Sequence, residues 1–364
     1  MSALSRGHVL LRSSIRAQHP IRNPHALFST SPIHHSQLQD KPKILTPEIH
    51  EINPPITTFP PDLDLLTIKS AKEQGLSNIK SLFTIARAYL GFYKSGIFNV
   101  YHNYRASIPI RKTLGLAILI PTSPPYNISH LRSSPNTQPS STTHNGTIVG
   151  RAQYQLTHRS ALDIRRLIPF ATIVAICGEF TPLLLPYLGK SITPSTCRIP
   201  DQIHKERVKA IAAKSAALHA QADLDKIDTA VPGSREEIRY IMKYLNTTWV
   251  KRADNEAVLR ACAVLKLSNA FQRRRWVGAE FAVFWDFLVF AILRPRLMRY
   301  VRYLELDDRL IRDAGGPGGL SEKEVQLAVE ERGGVDVGWG LEEKAESVRR
   351  EWLEMWLEER VNIE

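Results

Sequence analysis

The apolar positions of this chain repeat with a helical period over most of its length. From Ile79 to Tyr104 the side chains Ile79, Leu82, Phe83, Ala86, Tyr89, Leu90, Tyr93, Ile97, Tyr101 and Tyr104 recur at spacings of three and four, the repeat of one face of an α-helix. Residues 203–224 are rich in alanine and lysine, which favour helix strongly. Ser234 stands three residues before Glu237, a capping box ahead of Ile238, Ile241, Met242 and Leu245. Asp254 is placed to cap a helix carrying Val258, Leu259, Cys262 and Leu265. Ser321 and Glu324 repeat the box, and the last helix sets Leu341, Ala345, Val348, Trp352, Met355 and Trp356 on one stripe. The pattern predicts an all-α fold.

Two stretches interrupt it. Residues 40–78 form a linker that is rich in proline up to residue 66. Residues 106–150 read as a flexible loop, with Ser, Thr, Pro and Asn crowded between Pro121 and Thr147. Between them the basic, aromatic helix of residues 79–105 has no acidic companion, since no Asp or Glu occurs from Gln74 to Leu162. Such a helix suits the surface of an anionic membrane.

The longest apolar run is Leu167 to Leu188, inside a segment spanning 156–197, and its one charge is Glu179. At 1.5 Å per residue the run reaches about 33 Å, enough for a bilayer's hydrocarbon core. Arg159, Arg165 and Arg166 bound it on one side, Lys190 and Arg198 on the other. The run therefore predicts one transmembrane helix, followed by a helical soluble domain over 198–364. An acid inside a span is a candidate for proton or cation passage, which makes Glu179 the ion-path candidate. A second run, Phe281 to Leu293, is short and interrupted by Asp286, and it reads as a buried core helix.

Charge changes the picture next. The whole chain has a formal net charge of +12. From Tyr303 to Glu364 there are 17 acidic and 8 basic residues, net −9, so the preceding residues carry 12 + 9 = +21. A basic body favours anionic lipid or nucleic acid as a partner. The sharpest cationic group is Arg273, Arg274, Arg275, Arg294, Arg296, Arg299 and Arg302, interleaved near its end with Tyr300 and Tyr303. Arginine neutralises phosphates and tyrosine stacks on unpaired bases. Residues 1–39 contain Arg6, Arg12, Arg16 and Arg22 with no acid, the composition of a mitochondrial transit peptide. The three cysteines, Cys177, Cys197 and Cys262, share no CxxC or Cys/His spacing, which argues against a disulfide framework and a zinc site. No nucleotide-binding, metalloprotease or hydrolase motif is present, so no catalytic residue, metal or cofactor is expected and the chain reads as a non-enzyme. Asp307 and Asp308 read as a helix-end feature.

Several pieces occur in an order that resembles the LETM family, the leucine-zipper and EF-hand-containing transmembrane proteins of the mitochondrial inner membrane. They are Leu167-Ile-Pro-Phe170, Leu183-Leu-Leu-Pro186, Thr193-Pro-Ser-Thr196, Tyr303-Leu-x-Leu-Asp-Asp-x-Leu-Ile311, Gly318-Gly-Leu-Ser321 and Trp352-Leu-x-x-Trp-Leu357. No EF-hand loop is present. Family spans place a proline where Glu179 stands and an acid where Pro182 stands, so the acid and the proline have traded places. The resemblance implies a ribosome-binding domain at 198–364, with a fold similar to the 14-3-3 adaptors, facing the matrix. The expected function is to hold mitochondrial ribosomes at the inner membrane and assist insertion of newly made proteins. The alternative is potassium/proton exchange controlling matrix ion balance and volume. The expected partners are the mitochondrial ribosome and anionic lipid of the inner membrane. A homo-oligomer is allowed, and no small-molecule substrate is expected.

Overall fold

Every regular element among the described residues is helical. The structure is a computed structural model and describes residues 46–73, 79–126, 149–177, 192–276, 282–341 and 343–362. These all belong to one compact unit, Ile44–Glu364. The helices are α1 (Leu65–Glu73), α2 (Ile79–Thr113), α3 (Arg151–Cys177), α4 (Pro200–Asp225), α5 (Arg235–Lys243), α6 (Thr247–Arg252), α7 (Asn255–Val264) and α8 (Ala270–Trp276). There follow α9 (Ala282–Leu288), a π-helical turn at Val289–Leu293, α10 (Arg294–Asp313), α11 (Glu322–Glu331) and α12 (Ala345–Val361).

Local chemistry fixes most of the ends. Ser234 Oγ accepts a hydrogen bond from the Glu237 amide at 3.2 Å, and Glu237 Oε2 accepts one from the Gly233 amide at 2.8 Å. Asp254 accepts from the Ala257 amide at 3.3 Å. Helix α2 runs past the expected break at residue 106 and carries Pro109 inside it. It stops at Gly115, whose φ of +63° favours a residue without Cβ. There the Leu116 amide donates to Arg111 O at 2.9 Å and the Gly115 amide to Lys112 O at 3.2 Å, the Schellman pattern. The second expected box fails. Ser321 makes no side-chain cap, and the Glu324 carboxylate is drawn inward to Arg151 and Arg159.

The main core gathers Ile238, Ile241, Leu259, Val301, Leu304, Val325, Trp352 and Trp356, with the two indoles stacked 5.3 Å apart. Helix α4 turns Ala210, Ala213, Ala217 and Ala222 inward, and side chains this small let it approach α7 closely. A second, smaller cluster joins Phe92 and Tyr93 of α2 to Phe170 of α3, Cys197 and Ile199.

The expected transmembrane helix is corrected by this arrangement. Helix α3 begins at Arg151, well before the apolar run, and its first half is buried in the domain through Arg151, Tyr154, Arg159 and Asp163. Its described part within the run, from Leu167 to Cys177, covers about 16 Å, roughly half a hydrocarbon core. No helix among the described residues is long and apolar enough to cross a membrane. The rest of the run, including Glu179, lies outside the described residues. The run Phe281–Leu293 also differs from expectation. It buries Val289 and Leu293 but exposes Phe284, Phe287, Phe290 and Ile292.

The stretch read as a linker is ordered over residues 46–61 and lies across the domain as a strap. Asn53 Nδ2 donates to Gly319 O at 2.8 Å, and Asn53 Oδ1 accepts from the Ser321 amide at 2.8 Å. Arg151 Nη1 donates to Ile52 O at 3.1 Å. Thr57 Oγ1 donates to Asn103 Oδ1 on α2 at 2.6 Å. The strap passes so close to Gly150 that a Cβ there would meet Ile49 O at 1.9 Å.

Candidate functional site

The seven arginines of the candidate interface do not share one role. Arg294 is committed to structure. Its guanidinium donates to the carbonyls of Val250 (2.7 Å), Lys251 (3.1 Å) and Ala253 (2.8 Å) and to Asn255 Oδ1 (3.1 Å), closing the C-terminal end of α6. Arg296, Arg299 and Arg302 are exposed and stand three residues apart along one side of α10. Arg273 on α8 is exposed, and Arg274 is half-buried with no hydrogen-bond partner at Nη1. The side chain of Arg275 is outside the described residues.

The two tyrosines are not open to bases. Tyr303 is buried with its hydroxyl donating to Glu331 Oε2 at 2.9 Å, and Tyr300 donates to Glu331 O at 2.7 Å. The helical repeat turns positions 300, 303, 304 and 307 inward while 296, 299 and 302 face water.

Beneath the arginine face lies a buried ionic network that motif reading missed. Asp307 and Asp308, expected at a helix end, sit inside α10 and are fully buried. Arg332 reaches both, at 2.8 Å to Asp307 Oδ2 and 2.7 Å to Asp308 Oδ1. Arg151 Nε meets Asp307 Oδ1 at 2.9 Å and its Nη1 meets Glu324 Oε2 at 3.1 Å. Arg159 completes the chain on Glu324 at 2.5 Å. Gln155 donates to Asp307 at 2.7 Å, and Trp356 Nε1 to Asp308 at 3.3 Å. Burial by itself would raise the Asp307 carboxyl, but Arg151 and Arg332 hold it well below the usual carboxylate range. Glu324 is lowered in the same way by Arg159 and Arg151. Glu331 is pushed up by burial, against the pull of Arg159. His158, stacked 4.7 Å from the Tyr303 ring, is pushed down to about 4 by burial and then by Arg159. One signal could have found the network: Asp307, Asp308 and Arg332 stand among apolar residues at helical spacing, where a charge needs a buried partner.

The described cysteines Cys197 and Cys262 are buried, and burial pushes each thiol up to about 12, far from a nucleophile. A cavity of about 620 Å³ opens between strap residues 58–61, the chain leading into α1, α3, the start of α4 and α11. Its charges are largely paired across its own wall, with Arg207 and Lys266 both on Glu330 at 2.6 and 2.7 Å.

Comparison with known proteins then places the chain. The family model described as LETM1-like, RBD, the ribosome-binding domain, matches residues 150–364, more than half of the sequence. The chain belongs to the LETM1-like family. No curated protein and no solved structure matches it. In this LETM1-like chain the matched region opens at the strap crossing over Gly150 and takes in the whole ionic network, from Arg151 to Arg332. The exposed arginines of α8 and α10 lie inside it as well. The strap and α2 precede it.

Proposed function

We propose that this chain is a non-catalytic ribosome receptor of mitochondria, holding the ribosome at the matrix face of the inner membrane while newly made proteins are inserted. The family match over residues 150–364 carries the reading. The exposed arginines support it: Arg273, Arg296, Arg299 and Arg302 stand exposed on helices α8 and α10, the kind of cationic face that neutralises ribosomal RNA phosphates. The basic, acid-free residues 1–39 support delivery to mitochondria. The exchange reading rests on Glu179, which lies outside the described residues, and no other residue of the structure favours it.

Co-sedimentation of the full chain with mitochondrial ribosomes tests the proposal. Reversing Arg273, Arg296, Arg299 and Arg302 to Glu should abolish pelleting at low salt with the circular dichroism spectrum unchanged. Pelleting that survives the fourfold reversal would remove this face as the contact.

A further inference from the structure

Three helices bring exposed apolar side chains to one end of the molecule. Helices α3 and α10 run antiparallel. Arg151 pairs with Asp307, Gln155 bonds Tyr303 at 3.0 Å, and Arg166 lies within electrostatic reach of Arg296. Helices α3 and α2 are antiparallel too. Arg111 Nη2 donates to Thr157 O at 3.2 Å, while the rings of Tyr93 and Phe170 lie 6.5 Å apart. Moving along α3 toward Cys177 therefore means moving toward the start of α2 and toward α9. Ile176 lies about 15 Å beyond Arg166, Phe83 about 15 Å beyond Tyr93, and Phe284 about 18 Å beyond Arg296, at 1.5 Å per residue. Phe170 stands four residues, about 6 Å, past Arg166, so Phe83 reaches about 6 Å farther than Ile176 with Phe284 between them, and all three lie toward the same end.

At that end the exposure is unusual for such residues. Phe83 is 68% exposed, Leu90 61%, Ile176 79%, Phe287 65% and Phe290 72%. Apolar patches shared by several elements mark contact surfaces. The charges beside them are of one sign on α2, where Lys80, Arg87 and Lys94 are exposed on the face that carries Phe83 and Leu90 and no carboxylate exists from Gln74 to Leu162. On α9 the one acid, Asp286, is held by Asn255 Nδ2 at 3.0 Å, which ties it to the start of α7.

We propose that this end is a peripheral docking surface for an anionic lipid bilayer, with the aromatic tips entering the interface and the α2 cations on the headgroups. A protein partner would meet a contact core depleted in charge, whereas here lysine and arginine alternate with phenylalanine and leucine. That alternation is the pattern of an interfacial helix. The surface rests on the proposed membrane placement but needs no transmembrane helix. It holds the α10 arginines behind the lipid contact, where a ribosome would bind.

Flotation of the full chain with vesicles tests it, using phosphatidylcholine alone and phosphatidylcholine with phosphatidylglycerol. The chain should float with the anionic vesicles and not with the neutral ones. Phe284→Ser, Phe287→Ser and Phe290→Ser together should lower the partition by about tenfold or more, since each inserted ring contributes to interfacial binding. Arg87→Gln with Lys94→Gln should lower it by severalfold on anionic vesicles only. None of these residues belongs to the ribosome face, so ribosome co-sedimentation of the variants should be unchanged and serves as the folding control. Equal flotation with neutral vesicles, no flotation, or undiminished flotation of the folded aromatic variant would each overturn the docking surface and leave the ribosome reading standing.

Discussion

Arg332 has no route to water, and its two carboxylate partners have none either. Each charge is tolerable only because the others are present, so removing one is worse than replacing the set. Arg332→Ala should lower stability by about 3–5 kcal/mol, read from urea midpoints, because it removes the close arginine of buried Asp308, leaving Arg360 at 3.7 Å, and one of the two arginines of Asp307. Arg302→Ala, on the exposed side of α10, should change it by no more than about 0.5 kcal/mol. His158 adds a pH dependence with a defined sign. Its folded pKa of about 4 lies below the unfolded value, so the folded state takes up the proton less readily. The stabilisation is complete above about pH 6.5 and is lost as the pH falls toward 4. At pH 5 the loss should be about 2 kcal/mol relative to pH 7, and His158→Gln should remove that part of the difference. The lowered carboxyls of Asp307 and Glu324 act in a separate window. Their contribution is present above the unfolded carboxylate pKa and disappears only as the pH falls below about 4.

At the scale of elements, helix identity was legible and partnership was not. The caps at Ser234 and Asp254 formed as the spacing required, because a cap is a contact between residues three apart. The cap at Ser321 did not, and its expected partner Glu324 went to two arginines from α3 instead. The strap shows the same limit. Its prolines read as a linker, yet Asn53, Thr57 and the Ile52 carbonyl are all engaged with the domain. At Gly150, just before α3, the strap leaves no room for a Cβ. Gly150→Ala should therefore destabilise the fold by about 1–3 kcal/mol through overpacking against Ile49 O, and trypsin should then cut earlier at the buried Arg151. Unchanged midpoints and cleavage rates in that variant would mean that the strap is dispensable.

For the whole molecule, the division of charge sets how tightly the ribosome face should bind. With Arg294 closing α6 and four arginines exposed, the slope of log affinity against log salt should be about −3 to −4, taking 0.7–0.9 per phosphate contact. Arg296→Gln should flatten it by about one contact, while Arg294→Gln should leave the slope alone and lower stability instead. A slope near zero would point to an apolar contact in place of this face.

The family, the all-helical class, the helix caps and the basic character of the body are properties of neighbouring residues or of composition, and the amino-acid sequence determined them alone. Hydrophobic period and capping act over three or four positions, so one chain read in order contains them. The tertiary structure decided the rest, for a common reason. Whether Arg294 is free or bound depends on the carbonyls of α6, and whether Tyr303 stacks on a base or on His158 depends on α3. Whether Asp307 ends a helix or anchors a core depends on Arg151 and Arg332, far away in sequence. The same holds for the expected span. An apolar run long enough to cross a bilayer was read from hydropathy, but the helix that enters it starts at Arg151 and is committed to ion pairs inside the domain. Long-range partners decide what a charged or aromatic side chain does, and they meet only when antiparallel helices bring distant positions to the same level.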